Sequence, residues 1–542
     1  MNLFKNQSTA RFWSVLGLFA ALLLPWILGY YYIQHIRLNN KAKEVTLIRE
    51  PSQKKQGPDH SQYSLLQQDF ETPEQVTEAC LYCHNTTAQE VMQTSHWTWS
   101  REYVTDNGDT IQLGKKNILN NFCIGIQSNE PRCTSCHIGY GWKDDGFDFS
   151  QERKIDCLVC HDQTDTYKKF PSGAGYPVTE KKTSAGEAFL PPDYRYIAQN
   201  IGSPRIENCG ACHFVGGGGN NVKHGDIASE LKDVTRDVDV HMADDGAGMS
   251  CVDCHRTEEH AISGSLYSIA SQDTNRIGCS GCHSANPHPN EILNLHSARV
   301  DCQTCHIPEY AKVSATKMSW DWSTAGKLNP DSSMVVKKDT MGNIIYHSMK
   351  GDFTWAKNVE PEYRWFNGIA DHYVLGDPVN PNETLNMNPL QGSYADKRSK
   401  IIPVKVHRAN IIYDVQNEYL INPHLFGKDS TAFWTHFDWQ KAAKAGAEAT
   451  GLAYSGEYGF IASEMTWPIN HMVAPREQSL TCIECHDSNG RLSELTDFYL
   501  IGRDRHAMLD RIGIGIILLS LIGVTIHSII RILSKSNRAQ TK

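Results

Sequence analysis

The chain has 542 residues and a net charge of −9 when histidine is counted as neutral. This length allows several ordinary domains, and the mildly acidic balance, without a basic patch, excludes nucleic acid as an expected partner. The chain also contains 17 cysteines, whose spacing is informative.

The first predicted element is an apolar run over residues 12–33, which follows Lys5 and Arg11. A run of about twenty apolar residues is long enough to span a bilayer. A cleaved signal peptide has a similar pattern, but this run ends in Tyr30, Tyr31 and Tyr32 rather than in a small-residue cleavage site. An uncleaved anchor over residues 1–38 is therefore favoured, followed by a polar periplasmic linker over residues 39–70.

Sixteen of the cysteines fall in eight copies of Cys-x-x-Cys-His. In chain order the motifs are Cys80–Cys83–His84, Cys133–Cys136–His137, Cys157–Cys160–His161, Cys209–Cys212–His213, Cys251–Cys254–His255, Cys279–Cys282–His283, Cys302–Cys305–His306 and Cys482–Cys485–His486. Each motif can attach one haem c through its two thiols, with the adjacent imidazole as the proximal iron ligand. A disulfide or zinc protein would not need a histidine after every second cysteine. The pattern predicts eight covalently bound haems in an exported body.

The spacing of the motifs predicts the fold class. Seven motifs lie between Cys80 and His306, and the eighth follows a gap over residues 307–480 that is rich in tryptophan and in Asn-Pro pairs. Such a density favours short helices, turns and loops around the haems. We therefore predict one octahaem body over residues 71–505, mainly α with much irregular structure and flanked by two transmembrane helices. A helix is expected from about residue 431 to 449, where the apolar period is helical.

Sixteen histidines lie outside the motifs and are the source of distal iron ligands. Those in the flanks, including His60, are set aside. The predicted distal set is His96, His224, His241, His260, His296, His407 and His471. Any one of them alone could be an ordinary surface histidine, but together they are enough to fill most of the distal positions of eight haems. A haem with two histidine ligands has no open iron position and serves as an electron carrier.

The last predicted element lies in residues 506–542. Its apolar stretch, residues 512–530, is followed by Arg531 and further basic residues, which places the C-terminus in the cytoplasm. Together with the N-terminal run, this predicts that both tails are cytoplasmic, that the protein is held in the bacterial inner membrane and that the haem body faces the periplasm.

Local sequences around the motifs resemble the octahaem tetrathionate reductase family of periplasmic multihaem cytochromes. The segments that carry the resemblance are residues 133–142 (CTSCHIGYGW), 157–162 (CLVCHD), 166–169 (TYKK) and 470–475 (NHMVAP). The motif count alone is shared with hydroxylamine oxidoreductases and sulfite-reducing octahaem enzymes. The resemblance implies an active-site haem on Cys133, Cys136 and His137 whose distal ligand is a lysine amine. Lys168 is the matching lysine, with Asp165 nearby, and Lys169 and Lys154 are the alternatives.

Cys123 is the only cysteine outside the motifs and precedes Cys133 by ten residues. A thiol there could contact a sulfur oxyanion or pair with it transiently, although most lone cysteines are inert.

Two functions remain open. One is a reductase of tetrathionate, or of nitrite and hydroxylamine, supplied by a quinol-oxidising or other donor protein. The alternative is a membrane-anchored relay without a substrate of its own. Hydroxylamine oxidation is a third option. A homo-oligomer is compatible with each of these functions.

Overall fold

The computed structural model describes residues 57–104, 110–264, 277–504 and 506–538, together with residues 23, 24, 27, 28, 30 and 31. Most of the predicted N-terminal anchor and residues 39–56 of the predicted linker lie outside this part of the chain. The chain divides into two compact units. The larger comprises residues 49–281 and 296–481, and the smaller comprises residues 1–48, 282–295 and 482–542.

Most helices in the described residues are short, and many contain a haem-attachment motif. In chain order they are α1 Pro73–Cys83, α2 Thr87–Met92, α3 Ser95–Thr98, α4 Glu130–Cys133, α5 Leu158–His161, α6 Tyr194–Gln199, α7 Ile206–His213, α8 Cys251–Cys254, α9 Glu291–His296, α10 Cys302–His306, α11 Phe433–His436, α12 Trp439–Thr450, α13 Cys482–Cys485 and α14 Ala507–Arg538. The helix predicted near residues 431–449 is confirmed as α11 and α12. The Asp438 side chain caps α12 by accepting from the Lys441 N–H, and Gly451, with φ 72°, ends the helix.

The strands of the described residues lie mostly in the long gap between the seventh and eighth motifs. They are β1 Ser100–Val104, β2 Thr110–Gly114, β3 Lys182–Ser184, β4 Glu187–Phe189, β5 Thr257–Glu258, β6 Ala261–Ile262, β7 Thr316–Asp321, β8 Val336–Lys338, β9 Ile344–His347, β10 Gly351–Ala356, β11 Glu362–Phe366, β12 Leu385–Asn386, β13 Lys400–Asp414, β14 Tyr419–Leu420 and β15 Tyr458–Pro468. The first six form three separate two-stranded ribbons.

The other nine strands form one mixed sheet in the larger unit. Its order is β12-β15-β13-β7-β10-β9-β8, and β11 and β14 also pair with β13. Strand β13 runs antiparallel to β15, with Val404 opposite Pro468 and Asp414 opposite Tyr458, and parallel to β7. Nearly all of β13 is buried, as its β-branched sequence favours.

The predicted fold class, mainly α with two transmembrane helices, is therefore wrong. The nine-stranded sheet makes the larger unit a mixed α and β structure. Large sheets are absent from the described residues where the haem motifs are dense, but the density of those motifs does not predict the structure of the motif-free gap. There, residues 400–414 (KIIPVKVHRANIIYD) carry six isoleucine and valine residues, and such β-branched enrichment is a strand signal in its own right.

The main core of the larger unit is aromatic. Trp320 and Trp322 stack with ring centres 4.7 Å apart, and Phe433 stacks on Trp439 at 3.8 Å. All four belong to one buried cluster with the inner face of β13. Buried aromatic area of this kind dominates core stability, so the tryptophans of the gap are largely structural. The same cluster forms the wall against which Lys317 lies.

The smaller unit contains the eighth motif, on α13, and the long helix α14. Within α14, Ala507–Leu533 has a mean hydropathy of 2.2. It is the one helix in the described part of the chain that is long and apolar enough to cross a membrane.

Candidate functional site

Cysteines of different motifs lie side by side in the larger unit. The interacting thiols are Cys80 with Cys157, Cys136 with Cys212, Cys209 with Cys251, and Cys279 with Cys302. These contacts join the first motif to the third, the second to the fourth, the fourth to the fifth and the sixth to the seventh. The fourth motif is therefore adjacent to both the second and the fifth. Groups bound at adjacent motifs would lie close together, and electron exchange requires such proximity.

Four motif histidines face another histidine at a distance that suits a shared metal ion. The ring centres are 6.5 Å apart for His84 and His60, 6.2 Å for His213 and His96, 6.4 Å for His161 and His260, and 6.4 Å for His255 and His471. A metal–imidazole bond is about 2 Å long and the ring centre lies roughly 1 Å behind the nitrogen, so two axial ligands of one ion have ring centres roughly 6 Å apart. The four pairs therefore fit the axial ligands of four haems.

Three of the predicted distal histidines, His96, His260 and His471, occur in these pairs. The fourth partner, His60, was set aside because it lies in the flank before the first motif. It sits on a single turn that Asp59 caps by accepting from the Ser61 N–H at 3.0 Å. The turn-forming Pro-Asp at residues 58–59 is the signal that could have identified an ordered position for His60.

The other four predicted distal histidines occupy different settings. His224 packs on the Trp467 ring at 5.0 Å, and the Nδ1 of buried His407 lies 3.1 Å from the Asn121 side-chain oxygen. His241 lies 3.9 Å from Asp239, and His296 ends α9. Their assignment as distal ligands stays a prediction.

Three motif histidines are oriented as iron ligands by backbone carbonyls. Nδ1 lies near a carbonyl oxygen in His161 (Gly202, 2.9 Å), His255 (Ser263, 3.0 Å) and His486 (Ile501, 2.9 Å). Because Nδ1 donates its proton to the carbonyl, Nε2 is left as the metal-binding nitrogen. This is the second observation that fits haem c to these motifs.

His137, in the second motif, is the exception. Its Nε2 lies 2.6 Å from the Trp97 carbonyl oxygen, and the ring is fully buried among Trp97, Trp99, Trp142 and Phe147. Burial lowers the pKa of His137 to about 3. The assignment of His137 as the proximal ligand of the second haem stays a prediction.

Lys168, the predicted lysine ligand, lies on the surface. Its side chain is 51% exposed and its Nζ lies 2.7 Å from Glu187. The alternative Lys154 pairs with Glu74 at 3.1 Å and donates to the Tyr176 hydroxyl at 2.8 Å. The Lys168 amine is directed to solvent and to a carboxylate, and its assignment as an iron ligand stays a prediction.

Lys169 instead reaches the second motif. Its side chain is 7% exposed, and its Nζ donates to the carbonyl oxygens of His137 and, at 3.5 Å, of Gly139. It also lies 3.0 Å from the buried Asp156 carboxylate. Of the three candidate lysines, Lys169 alone has its amine at the Cys133–His137 segment.

Asp156, and not Asp165, is the carboxylate of this site. Asp156 accepts from the hydroxyls of Tyr140 at 2.7 Å and Tyr167 at 3.0 Å, and burial together with its charge raises the pKa of both tyrosines well above the usual value. Asp165 pairs with Arg205 at 2.7 Å on the surface. The signal that sequence reasoning missed is the position of Asp156 directly before Cys157.

Three amines, those of Lys223, Lys317 and Lys350, form what we call the lysine cluster near Cys123. The Cys123 thiol lies within electrostatic range of all three amines and of Cys133 in the second motif. Burial lowers the pKa of each lysine, that of Lys223 to about 7. Within the described residues none of the three amines pairs with a carboxylate. Lys317 is buried and the other two lysines are half-buried, and a set of such amines without a counter-charge favours binding of an anion.

Aromatic rings and glycines shape the walls of this cluster. The Lys317 side chain is 4% exposed, and its amine lies 3.9 Å from the ring centre of Trp320 and 3.4 Å from that of Phe353. A Cβ on Gly218, which has φ 96°, would lie 3.6 Å from the Lys350 amine. The glycine run after the fourth motif thus lets the backbone pass close to the cluster.

Cys123 itself is presented by a strained loop. Asn120 accepts from the Cys123 N–H at 2.7 Å and donates to the Ile124 carbonyl at 2.7 Å. Ile124 has φ 66°, which is a rare conformation for a β-branched residue. Strain of this kind is maintained where surrounding contacts over-determine it, commonly at functional sites.

Lys405 on β13 supports the cluster structurally. Its buried amine donates to the carbonyls of Val222 and Lys223, at 2.8 and 3.1 Å, and to the Thr316 hydroxyl at 2.6 Å. All three of its donors are satisfied. Lys405 therefore holds the segment that carries Lys223 rather than offering a charge to a ligand.

Comparisons with known proteins agree with this site. Residues 79–162 match the family model described as cytochrome c554 and c-prime, and residues 317–489 match the model described as bacterial cytochrome c. An uncharacterized protein of Archaeoglobus fulgidus is 25% identical over 222 residues, which are 34% of this chain and 74% of that protein. The octaheme cytochrome c from Shewanella oneidensis matches with a TM-score of 0.73 and 45% identity, over 81% of this chain and 97% of that one.

The chain belongs to the octahaem cytochromes c. As a member of that family it carries covalently bound haem c, which the thiol contacts, the histidine pairs and the carbonyl-oriented imidazoles all fit. The family is a redox family, so the octahaem cytochrome described by this structure carries out electron transfer or redox chemistry.

Several functional residues of this octahaem cytochrome were missed in its sequence. They are His60, Asp156 and the lysine cluster. Lys223, Lys317 and Lys350 stand in unrelated segments, and only the folded sheet brings them together around Cys123. The resemblance to the tetrathionate reductase family pointed to Lys168 at the second motif, and that role stays a prediction; the lysine amine that contacts this motif in the structure is that of Lys169.

Proposed function

We propose that this octahaem cytochrome is a multi-electron reductase of small oxyanions that acts at its second motif. The observation that carries the proposal is the lysine cluster around Cys123, beside Cys133. A lysine as buried as Lys317 normally has a partner that compensates its charge, and within the described residues no carboxylate pairs with any amine of the cluster. An oxyanion with several acceptor oxygens is the complementary ligand.

A haem at the second motif supplies electrons and an iron that can bind the substrate. The residues of the chain supply the rest. The lysine cluster binds and orients the anion, and its low-dielectric surroundings strengthen each contact. We propose that Lys169, the candidate lysine whose amine lies at the second motif, is the lysine ligand there. To bind iron the amine must lose a proton and leave its acceptors, the His137 and Gly139 carbonyls and Asp156.

Tetrathionate is the favoured substrate, and nitrite and hydroxylamine are the other candidates. Reduction of tetrathionate adds an electron pair to its central S–S bond and releases two thiosulfate ions. The resemblance to the tetrathionate reductase family and the thiol of Cys123 both favour a sulfur oxyanion. Reduction of nitrite to ammonia needs more electrons than reduction of tetrathionate, and reduction of either nitrite or hydroxylamine also consumes protons.

A relay without its own substrate is the second candidate function. The four histidine pairs favour it, because an iron with both axial positions filled by histidine has no open site. The relay hypothesis leaves the lysine cluster without a role, and this is why the reductase hypothesis is preferred.

The test uses full-length protein whose intact mass after denaturation shows eight attached haems, the number that the motifs predict. The haems are reduced by an artificial electron donor without oxygen, and tetrathionate, nitrite or hydroxylamine is added singly. We expect at least one of these three compounds to oxidise the haems catalytically. If none of the three compounds oxidises the haems more than buffer alone does, the reductase proposal fails and the relay function replaces it.

We further propose that α14 anchors the haem body to the periplasmic side of the inner membrane, near a quinol-oxidising donor protein. The apolar span of α14 and the basic residues after it support this orientation. A reporter fused after residue 542 should be active in the cytoplasm. A reporter that is active only in the periplasm would contradict the orientation.

A further inference from the structure

A buried carboxylate stands directly behind one of the axial histidines. Asp226 is 2% exposed, and its Oδ2 lies 3.0 Å from the Nδ1 of His471. The same oxygen accepts from the backbone N–H groups of Asn470, at 2.8 Å, and of His471, at 3.0 Å. One carboxylate oxygen thus fixes both the backbone and the ring of His471.

The opposite side of His471 faces the fifth motif. Its ring centre lies 6.4 Å from that of His255, and the two rings are within 17° of parallel. Because the His471 Nδ1 donates to Asp226, its Nε2 is the nitrogen left for iron. His255 donates instead to a neutral group, the Ser263 carbonyl, at 3.0 Å. The two imidazoles of this pair therefore differ in the charge of the group that accepts the Nδ1 hydrogen bond.

A charged group that accepts a hydrogen bond from the Nδ1 of an imidazole changes how strongly that imidazole binds each oxidation state of iron. Donation to a carboxylate gives the imidazole partial anionic character and raises its basicity. A more basic ligand stabilises ferric over ferrous iron, because the oxidised ion carries one more positive charge. Asp226 is buried, so solvent and salt screen its charge little.

Two other pairs provide the comparison within the same chain. The Nδ1 of His260 lies 2.8 Å from Glu90, whose side chain is 25% exposed and thus better screened. The Nδ1 of His60 lies 3.0 Å from the neutral Pro58 carbonyl. The three partners form a series from a buried carboxylate, through a half-buried carboxylate, to a carbonyl.

We propose that Asp226 is a positioning residue that sets the reduction potential of the haem held by His255 and His471. This haem is harder to reduce than the haem held by His84 and His60, whose distal histidine has only a carbonyl behind it. The proposal depends on haem attachment and on the observed pair alone, so it holds for a reductase and for a relay.

The test is Asp226→Asn in the full-length protein. The asparagine oxygen can still accept from the His471 Nδ1 but carries no charge. We expect the reduction equilibrium constant of one haem to rise about tenfold, which is about 59 mV for a one-electron couple, in a spectroelectrochemical titration at fixed pH. The control Glu90→Gln should shift a different haem by less. Unchanged potentials in Asp226→Asn with full haem content would overturn the proposal.

A second measurement covers the case in which Asp226→Asn fails to mature. Glu90→Gln removes the charge behind His260 and leaves Asp226 in place. The ferric protein should then retain an electron paramagnetic resonance signal of a strong-field, low-spin haem with an anionic histidine. If no such signal remains in Glu90→Gln, Asp226 does not act on its haem and the proposal fails.

Discussion

Replacing Lys169 with alanine is expected to lower oxyanion reduction by about a hundredfold, the scale on which one positioned catalytic group acts, and to change the absorption spectrum of a single haem. The reason is geometric. Lys169 is the buried lysine at the second motif, with its amine at the carbonyl oxygens of His137 and Gly139 and next to Asp156. The measurements are steady-state reduction of tetrathionate with an artificial donor and the ferric spectrum.

Lys168 is the matched control for this prediction. It is the preceding residue, but its amine is exposed and pairs with Glu187. Lys168→Ala should keep activity within about twofold and leave every haem spectrum unchanged, since exposed ion pairs contribute little. The opposite outcome, with loss of activity in Lys168→Ala alone, would return the ligand role to Lys168.

Lys169→Arg separates ligation from ion pairing. Alanine leaves the buried Asp156 without its cation, which can destabilise the protein by several kcal/mol. Arginine keeps the charge but cannot be deprotonated in a protein, so it cannot donate an electron pair to iron. We expect Lys169→Arg to retain thermal stability better than Lys169→Ala and to show the same spectral change. A wild-type spectrum in Lys169→Arg would assign Lys169 a purely structural role.

Replacing Lys317 with methionine should lower kcat/KM for the oxyanion by roughly ten- to a hundredfold, because a hydrogen bond to a charged group is worth about 1.5–3 kcal/mol. The loss should appear mainly as a raised KM if Lys317 binds substrate and transition state alike. The same variant is expected to be at least as stable as the unaltered protein, because a buried cation beside Trp320 and Phe353 is replaced by an apolar side chain. Steady-state kinetics and thermal denaturation measure the two effects.

Lys441→Met provides the control for charge removal. Lys441 is exposed on α12 and pairs with Asp438 at 3.3 Å. Its loss should change neither kcat/KM nor stability beyond small surface effects. Equal kinetics in Lys317→Met and Lys441→Met would show that the lysine cluster does not bind substrate.

Haem attachment could be predicted from the sequence because its chemistry is local. Two thiols and one imidazole must reach the same macrocycle, so the residues stand within five positions of one another and their spacing is diagnostic. The helix near residues 431–449 was predictable for a similar reason, since its period and its caps are local. By contrast, the sheet was missed because the motif-free gap was interpreted from its neighbours rather than from its own β-branched runs, such as residues 400–414.

The distal ligands and the anion site depend on contacts between distant segments. His60 reaches His84 from the flank, and His471 reaches His255 across about half of the larger unit's sequence. Likewise, Lys223, Lys317 and Lys350 meet at Cys123 only because β7 and β10 pair in the sheet and a glycine loop passes close to them. Such contacts between distant segments cannot be predicted from the spacing of neighbouring residues.

The adjacent pair Lys168 and Lys169 shows the difference most directly. Both have the same side chain and nearly the same sequence context, and the sequence by itself determined only that a lysine lies near the second motif. Only the tertiary structure separates the two, because the backbone directs the Lys168 amine to solvent and Glu187 and the Lys169 amine to the buried Asp156. Burial and the direction of a side chain are properties of the packed chain, whereas covalent haem attachment is a property of neighbouring residues.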